Sequence, residues 1–355
     1  MIIFSFIRRA VMQGVPLLYG STGEIITEKS GHLNLGIPGI MYMGAIGGVI
    51  GGFFFEQTKP DFNHWYVRIL AVLVALFCSL LFSCLMGLLY CFLTVSMRAN
   101  QNVTGLALTT FGVGMGNFFG GSLIKISHAD VPNITLTDTS GCFAKHLPFV
   151  DTVNNLAESG KCPKVLAEIC STIFSYSALA YLAIVVALVA SHVLMKTRVG
   201  LTLRSVGEDP ATADAAGINV NRYKYVATCL GSMIAGLGGL YYIMDYACGV
   251  WSSDGFGDRG WLSVALVIFS LWRPGLAIIG SFIFGGMYII HNYIGGQTIP
   301  LINYTIPKLS MQAMELFKMS PYVMTLLVLI FVSIKEKREA LPPAHLGLNY
   351  FREER

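Results

Sequence analysis

The side chains within this chain's apolar runs that could contact a polar solute are amides, hydroxyls and aromatics, not catalytic groups. Asn34, Gln101, Asn102 and Thr109 can meet the polar edges of a solute, and Phe111 and Trp261 can stack on a planar ring. Thr104 and Thr110 join them in QNVTGLALTTFGVGMGNFFGG, where polar residues recur among small ones; such a helix either packs closely or lines a polar path. No reactive constellation accompanies these residues. The sequence has no G-x-x-x-x-G-K-[ST], G-x-S-x-G, H-E-x-x-H or paired C-x-x-C, and its 7 histidines are dispersed. Neither nucleotide hydrolysis nor metal-assisted catalysis has a local signature, so the chain reads as neither an enzyme nor a metalloprotein. Energy for any work must come from a partner or an ion gradient.

Composition identifies the solvent of the elements that carry these residues. Of 355 residues, 54% are apolar and 12% charged, and the mean hydropathy is +0.63; an average soluble domain is about one quarter charged. The expected fold is an all-α polytopic membrane protein, one transmembrane domain over residues 1–355. The net charge of +4 comes without a basic cluster interleaved with aromatics, so nucleic acid is not an expected partner.

Apolar runs of roughly 20 residues, each able to span a bilayer, give about eight to ten membrane segments. MIIFSFIRRAVMQGVPLLYGSTGE reads as a retained first helix, because Arg8 and Arg9 split it and no small-residue cleavage site follows. Residues 29–55 pass from Lys29, His32 and Asn34 into an uncharged glycine-rich run, either a discontinuous helix or a plain loop joined to a span. Gly260 to Trp272 is too short to span, and Arg273, Pro274 and Gly275 break it from the next run. The two interrupted stretches echo each other weakly, the pattern that points to a midplane path between internal repeats. Gly231, Gly236 and Gly239 read first as helix-packing sites.

Residues 198–224, RVGLTLRSVGEDPATADAAGINVNRYK, lie between two spans and carry basic flanks that place them in the cytoplasm. Pro210 suits a first helical turn, acidic residues stand beside it, and Gly217 suits a left-handed stop. One short helix over 208–216 is expected, although composition alone also allows an ordinary hydrophilic loop. With that loop inside, residues 125–170 form an extracytoplasmic insert and the C-terminus is cytoplasmic. Charge counting also favours an N-terminus inside, with residues 24–38 re-crossing the membrane as a broken segment. Outside the membrane cysteines can oxidise, and a bridge between Cys142 and Cys162 would contribute roughly 3 kcal/mol in the chain-entropy model. Cys170 is a further candidate, and spacing does not fix the pairing.

LRSVGEDPATADAAGINVNRYKYVATCLGSMIAGLGGL resembles the cytoplasmic loop and following span of permease subunits from the ABC importers of nucleosides, simple sugars and branched-chain amino acids. EKSGHLNLGIPGIMYMGA and GDRGWLSVALVIFSLWRPGLAIIGS, with the tail PPAHLGLNYFREER, agree in order and look most like the nucleoside branch. The resemblance implies a multi-pass permease subunit in the cell membrane forming half of a translocation pathway. It further implies a second permease, an extracytoplasmic substrate-binding protein and an ABC ATPase that binds ATP and magnesium, with no cofactor on this chain. The second permease is expected to be a homologous but different chain. Glu208, Asp209, Pro210, Ala211, Ala213 and Gly217 would then form a coupling helix seated on the ATPase. Asn34, Gln101, Asn102, Thr109, Phe111 and Trp261 would meet ribose or base edges. Pro38 stands where the nucleoside branch often has Glu, which leaves a simple sugar or riboflavin as alternative substrates. A stand-alone ion-coupled carrier is the alternative of another class. It would be expected to bury carboxylates in its spans, and the long apolar runs contain none.

Overall fold

A computed structural model describes residues 2–127, 133–144, 172–290, 293, 298–299, 304–305, 310–335 and 341–351. The first elements are α1 (Ile2–Glu28), α2 (Ile37–Gln57), α3 (Trp65–Cys91, continued by a π turn over Phe92–Ser96) and α4 (Gln101–Ser127). Strand β1 (Ile134–Thr135) and α5 (Thr137–Phe143) follow, then α6 (Ala178–Lys196), α7 (Arg198–Glu208) and α8 (Pro210–Ala215). The second half holds α9 (Val220–Tyr241, with a π turn over Tyr242–Tyr246), β2 (Val250–Trp251), α10 (Arg259–Phe269) and α11 (Pro274–Ile289). Strands β3 (Thr298–Ile299) and β4 (Tyr304–Thr305) and helices α12 (Met311–Lys318) and α13 (Ser320–Lys335) complete it. β1 pairs antiparallel with β2 through Ile134 and Trp251.

Among the described residues five helical stretches are long and apolar enough to cross a bilayer: 37–57, 65–96, 178–196, 220–246 and 311–331. Helices α1 and α4 have 27 residues each, enough length at about 1.5 Å per residue. Helices α10 and α11 are shorter. Buried α2 forms the centre, packed against α3, α4, α9 and α10, while α1 lies between α9 and α11. The glycines of α9 act as packing sites. A side-chain carbon at Gly231 would stand 2.4 Å from the Gly23 carbonyl oxygen of α1, and one at Gly239 would overlap the Met41 backbone of α2.

The first helix departs from the expected topology. α1 is unbroken through Glu28 and runs antiparallel to α9, with Pro16 beside Gly238, Gly23 beside Gly231, and the turn at Gly31 against Gly207. Its N-terminal end therefore lies at the face opposite residues 198–219, not at the same face. The helix continues past its apolar part because its carboxylates find partners inside the protein: Glu24 Oε1 accepts from Asn34 N at 3.0 Å, and Trp272 Nε1 donates to Glu28 Oε2. Two buried carboxylates thus sit within a long helix, which the apolar-run reading missed.

Residues 29–55 form a buried turn joined to one unbroken helix, the loop-and-span alternative, whereas the stretch from Gly260 is interrupted between α10 and α11. After α1 the chain turns over residues 29–36 beside Gly105 and Leu108 of α4, so α2 starts deeper than α4 does. α10 starts at similar depth. A side-chain carbon at Gly260 would stand 2.4 Å from Pro38 Cα, so the N-terminal ends of α2 and α10 touch where only glycine leaves room. α10 then runs to Trp272 at the level of Glu28, and Leu271 and Trp272 take left-handed backbone angles (φ 54 for both) before Pro274 starts α11.

Candidate functional site

Two arrangements could serve function: the junction where α2 and α10 start, and the face carrying α7 and α8, called here the loop face. At the junction, Asn34 Oδ1 accepts from Gly36 N at 2.9 Å, pinning the residues before α2. His32 is fully buried between Thr228 (Nδ1 to Oγ1, 2.8 Å) and Thr94 (Nε2 to Oγ1, 2.7 Å), tying this turn to α9 and to the end of α3. Gln101 Oε1 accepts from Leu33 N at 2.9 Å, and Thr109 Oγ1 donates to Leu35 O at 2.8 Å. Asn34, Gln101 and Thr109 therefore hold the turn's backbone, Trp261 is half-buried on α10, and Asn102 and Phe111 are exposed on α4.

The approach to α10 has its own polar frame. Tyr42 donates from its hydroxyl to Asn117 Oδ1 at 2.6 Å and accepts from Asp254 N at 2.8 Å, while Asn117 Nδ2 donates to Asp254 Oδ1 at 3.1 Å. Arg259, 7% exposed, opens α10 with its guanidinium 4.2 Å above the Tyr242 ring and 5.5 Å from that of Tyr288. The Gln13 amide is oriented so that its oxygen accepts from Arg259 Nε at 3.1 Å and its nitrogen donates to Tyr246 Oη at 3.2 Å. Sequence reasoning passed over Glu28, Tyr42, Asn117, Asp254 and Arg259. Charged groups beside apolar runs were the available signal.

On the loop face, α8 is shorter than the expected 208–216. Glu208 ends α7, and Asp209 caps α8 by accepting from Ala211 N at 3.0 Å and Thr212 N at 3.1 Å. The Thr212 hydroxyl, and after it the Thr212 amide, hold the Asp209 carboxyl below its ordinary range. The far end closes as a Schellman turn: Gly217, at φ 84, donates to Asp214 O, and Ile218 N donates to Ala213 O at 3.1 Å. Pro210 and Ala213 face inward, Ala213 onto Val206 and Val220, whereas Ala211, Thr212, Ala215 and Ala216 are exposed. The helix thus presents one free face and has both ends fixed.

The C-terminal tail straps this arrangement together. His345 N donates to Gly207 O at 3.1 Å, Ala344 N to Glu208 Oε2 at 3.3 Å, and Tyr350 Oη to Asp214 Oδ2 at 2.8 Å. Gln101 Nε2 donates to Leu348 O at 3.0 Å, Asn349 Nδ2 donates to Arg98 O at 2.8 Å, and the Arg98 guanidinium lies 4.9 Å over Phe351. Residues before α4, the C-terminal part of α8 and the end of α7 are joined by one segment of the tail. Cys142 lies half-buried on α5; Cys162, and with it the 142–162 pairing, falls outside the described residues. No group of three or more His, Cys, Asp or Glu side chains that could hold a metal occurs among the described residues.

A polytopic helical bundle with the α2–α10 junction at its centre and a braced short helix at one face defines a membrane permease. Residues 6–332 match the family described as branched-chain amino acid transport system / permease component, and the chain belongs to that family. It is 30% identical over 347 residues to the nucleoside ABC transporter permease protein NupC of Lactococcus lactis, covering 96% of this chain and 95% of that one. It is 29% identical over 319 residues to the guanosine ABC transporter permease protein NupQ of Bacillus subtilis, covering 90% and 89%. Identity to the putative glucose ABC transporter permease protein TsgC13 of Haloferax volcanii is 28% over 351 residues, covering 95% and 94%. No solved structure matches the chain. The protein is a multi-pass permease subunit of an ABC transporter, not an enzyme, and as such works with ATPase and substrate-binding partners.

Proposed function

We propose that this chain forms half of the pathway of an ATP-driven nucleoside importer, with α8 as its coupling helix on the cytoplasmic side. The observation that carries the reading is the construction of the loop face: a capped helix with one exposed side, joined through α7 to the turn that precedes α2. A push on α8 is borne by Gly207 against Lys29 and Gly31, and α7, the turn and α2 move as packed bodies between two arrangements. The partner ATPase binds the ATP and magnesium and supplies the work, and a second, homologous permease chain supplies the other half of the pathway.

Nucleoside is the favoured substrate because two relatives bear nucleoside or guanosine in their names. A simple sugar is the second reading, supported by the relative named for glucose. Glu24 and Glu28 are buried carboxylates of the kind an ion-coupled carrier would hold, so the ATP-driven reading rests on the family and on relatives named as ABC transporter permeases. Uptake of labelled guanosine and glucose by proteoliposomes holding the whole transporter, with and without ATP, tests the reading. Guanosine uptake that needs ATP supports it. Glucose uptake alone overturns the substrate, and uptake without ATP overturns the mechanism.

A further inference from the structure

Beside the strap, on its other flank from the His32 cluster, the loop face holds a recess of about 460 Å3 between the ends of α1, α6 and α7 and the α10–α11 turn. Among the described residues its charged lining is Lys29, Arg204, Arg273 and Glu208, three cations to one carboxylate. Glu208 is turned toward the tail, where its Oε2 accepts from Ala344 N at 3.3 Å. Arg204 Nε is buried and has no hydrogen-bond partner. Burial pushes the Lys29 ammonium below its ordinary range; Glu208 and Glu28 oppose this, and Arg204 and Arg273 add to it.

The rim is of a different kind. Leu201 at 62% exposed, Met195 at 44% and Leu341 at 43% stand around the opening, and Met195 closes the last turn of the apolar span α6. Cations within and bare apolar side chains without match a molecule with an anionic head and apolar tails. We propose that this recess takes the phosphate-bearing headgroup of an anionic phospholipid from the leaflet at the loop face. The phosphodiester lies among the Lys29, Arg204 and Arg273 charges, and the acyl chains leave over Leu201 and Met195. A free phosphate would answer the cations but not the rim. The inference rests on the chain being a membrane permease and is independent of what it carries.

The test uses the assembled transporter in detergent micelles doped with equal amounts of dioleoylphosphatidylglycerol and dioleoylphosphatidylcholine, followed by washing and mass-spectrometric counting of retained lipid. The expected result is several-fold retention of phosphatidylglycerol over phosphatidylcholine, unchanged by millimolar inorganic phosphate. Arg204→Gln with Lys29→Gln should reduce that preference several-fold, and Arg222→Gln, on the same face but outside the recess, should leave it intact. Equal retention of both lipids would overturn the proposal, as would an unchanged preference in the double variant. Displacement of the lipid by inorganic phosphate would assign the recess to a soluble anion instead. The wild-type ratio needs no variant, so a substitution that impairs folding does not spoil the test.

Discussion

Gly207, the next-to-last residue of α7, lies flat against the turn that ends α1. A side-chain carbon there would stand 2.5 Å from the Lys29 carbonyl oxygen and 2.9 Å from Gly31 N. Neither neighbour is a flexible side chain that could swing away. The contact joins α7, which leads into α8, to the residues leading into the central helix α2.

Gly207→Val should therefore wedge the loop off the turn at a cost of about 1–3 kcal/mol, the usual range for overpacking. In the assembled transporter, ATP turnover should persist while substrate uptake falls by roughly 5- to 150-fold, since 1.4 kcal/mol is a factor of ten. Uptake and hydrolysis measured in the same proteoliposomes give the ratio that decides it.

Tyr350→Phe removes the hydroxyl that donates to Asp214 Oδ2 at 2.8 Å and leaves the ring in place on the Val206, Ala213 and Val220 cluster. The expected loss is about 0.5–1.5 kcal/mol. It should appear as amide exchange over residues 341–351 accelerated several-fold, with exchange in α2 unchanged.

His345 adds a pH dependence to the strap. Burial first, then the Lys224 charge, lowers its pKa below the ordinary 6.5. Between its folded value and about 6.5 the unfolded tail binds more protons than the docked one, so docking gains stability as pH rises and loses it as pH falls below about 6.5. Limited proteolysis of the tail should be faster at pH 5.5 than at pH 7.5, and His345→Gln should flatten the difference.

At the buried end of α1, Glu28→Leu would leave the Trp272 indole N–H facing an apolar group, a loss of about 1–3 kcal/mol. Glu28→Gln keeps an acceptor and should restore most of it. Thermal unfolding of the purified transporter, followed for both variants, separates the two.

What the sequence made legible was what local residues decide. Pro210 after Asp209, and Gly217 seven residues beyond Pro210, mark the ends of α8 because caps and left-handed stops act within a turn or two. The Gly260 to Trp272 run was too short to span for the same local reason, and it is a half-length helix. The path of α1 was not legible, because residues 24–38 read as a broken segment re-crossing the membrane until Asn34 and Trp272 are known to meet Glu24 and Glu28. Trp272 is 244 residues from Glu28, and no period or propensity carries that information. The strap is the same case: Tyr350 and Asp214 lie 136 residues apart, and PPAHLGLNYFREER has no hydrophobic periodicity to mark it as packed. Asn34 and Gln101 stood out as polar residues among apolar ones, but their partners, Gly36 N and Leu33 N, come from the turn they hold.

A coupling helix at α8 would seat its exposed face on the ATPase, and Ala211 lies on that face. A photo-crosslinking residue at position 211 in the assembled, membrane-embedded transporter tests it most directly. The account predicts a covalent product with the ATPase subunit whose yield changes when ATP is bound. A product formed instead with the substrate-binding protein would contradict it, placing α8 on the other side of the membrane.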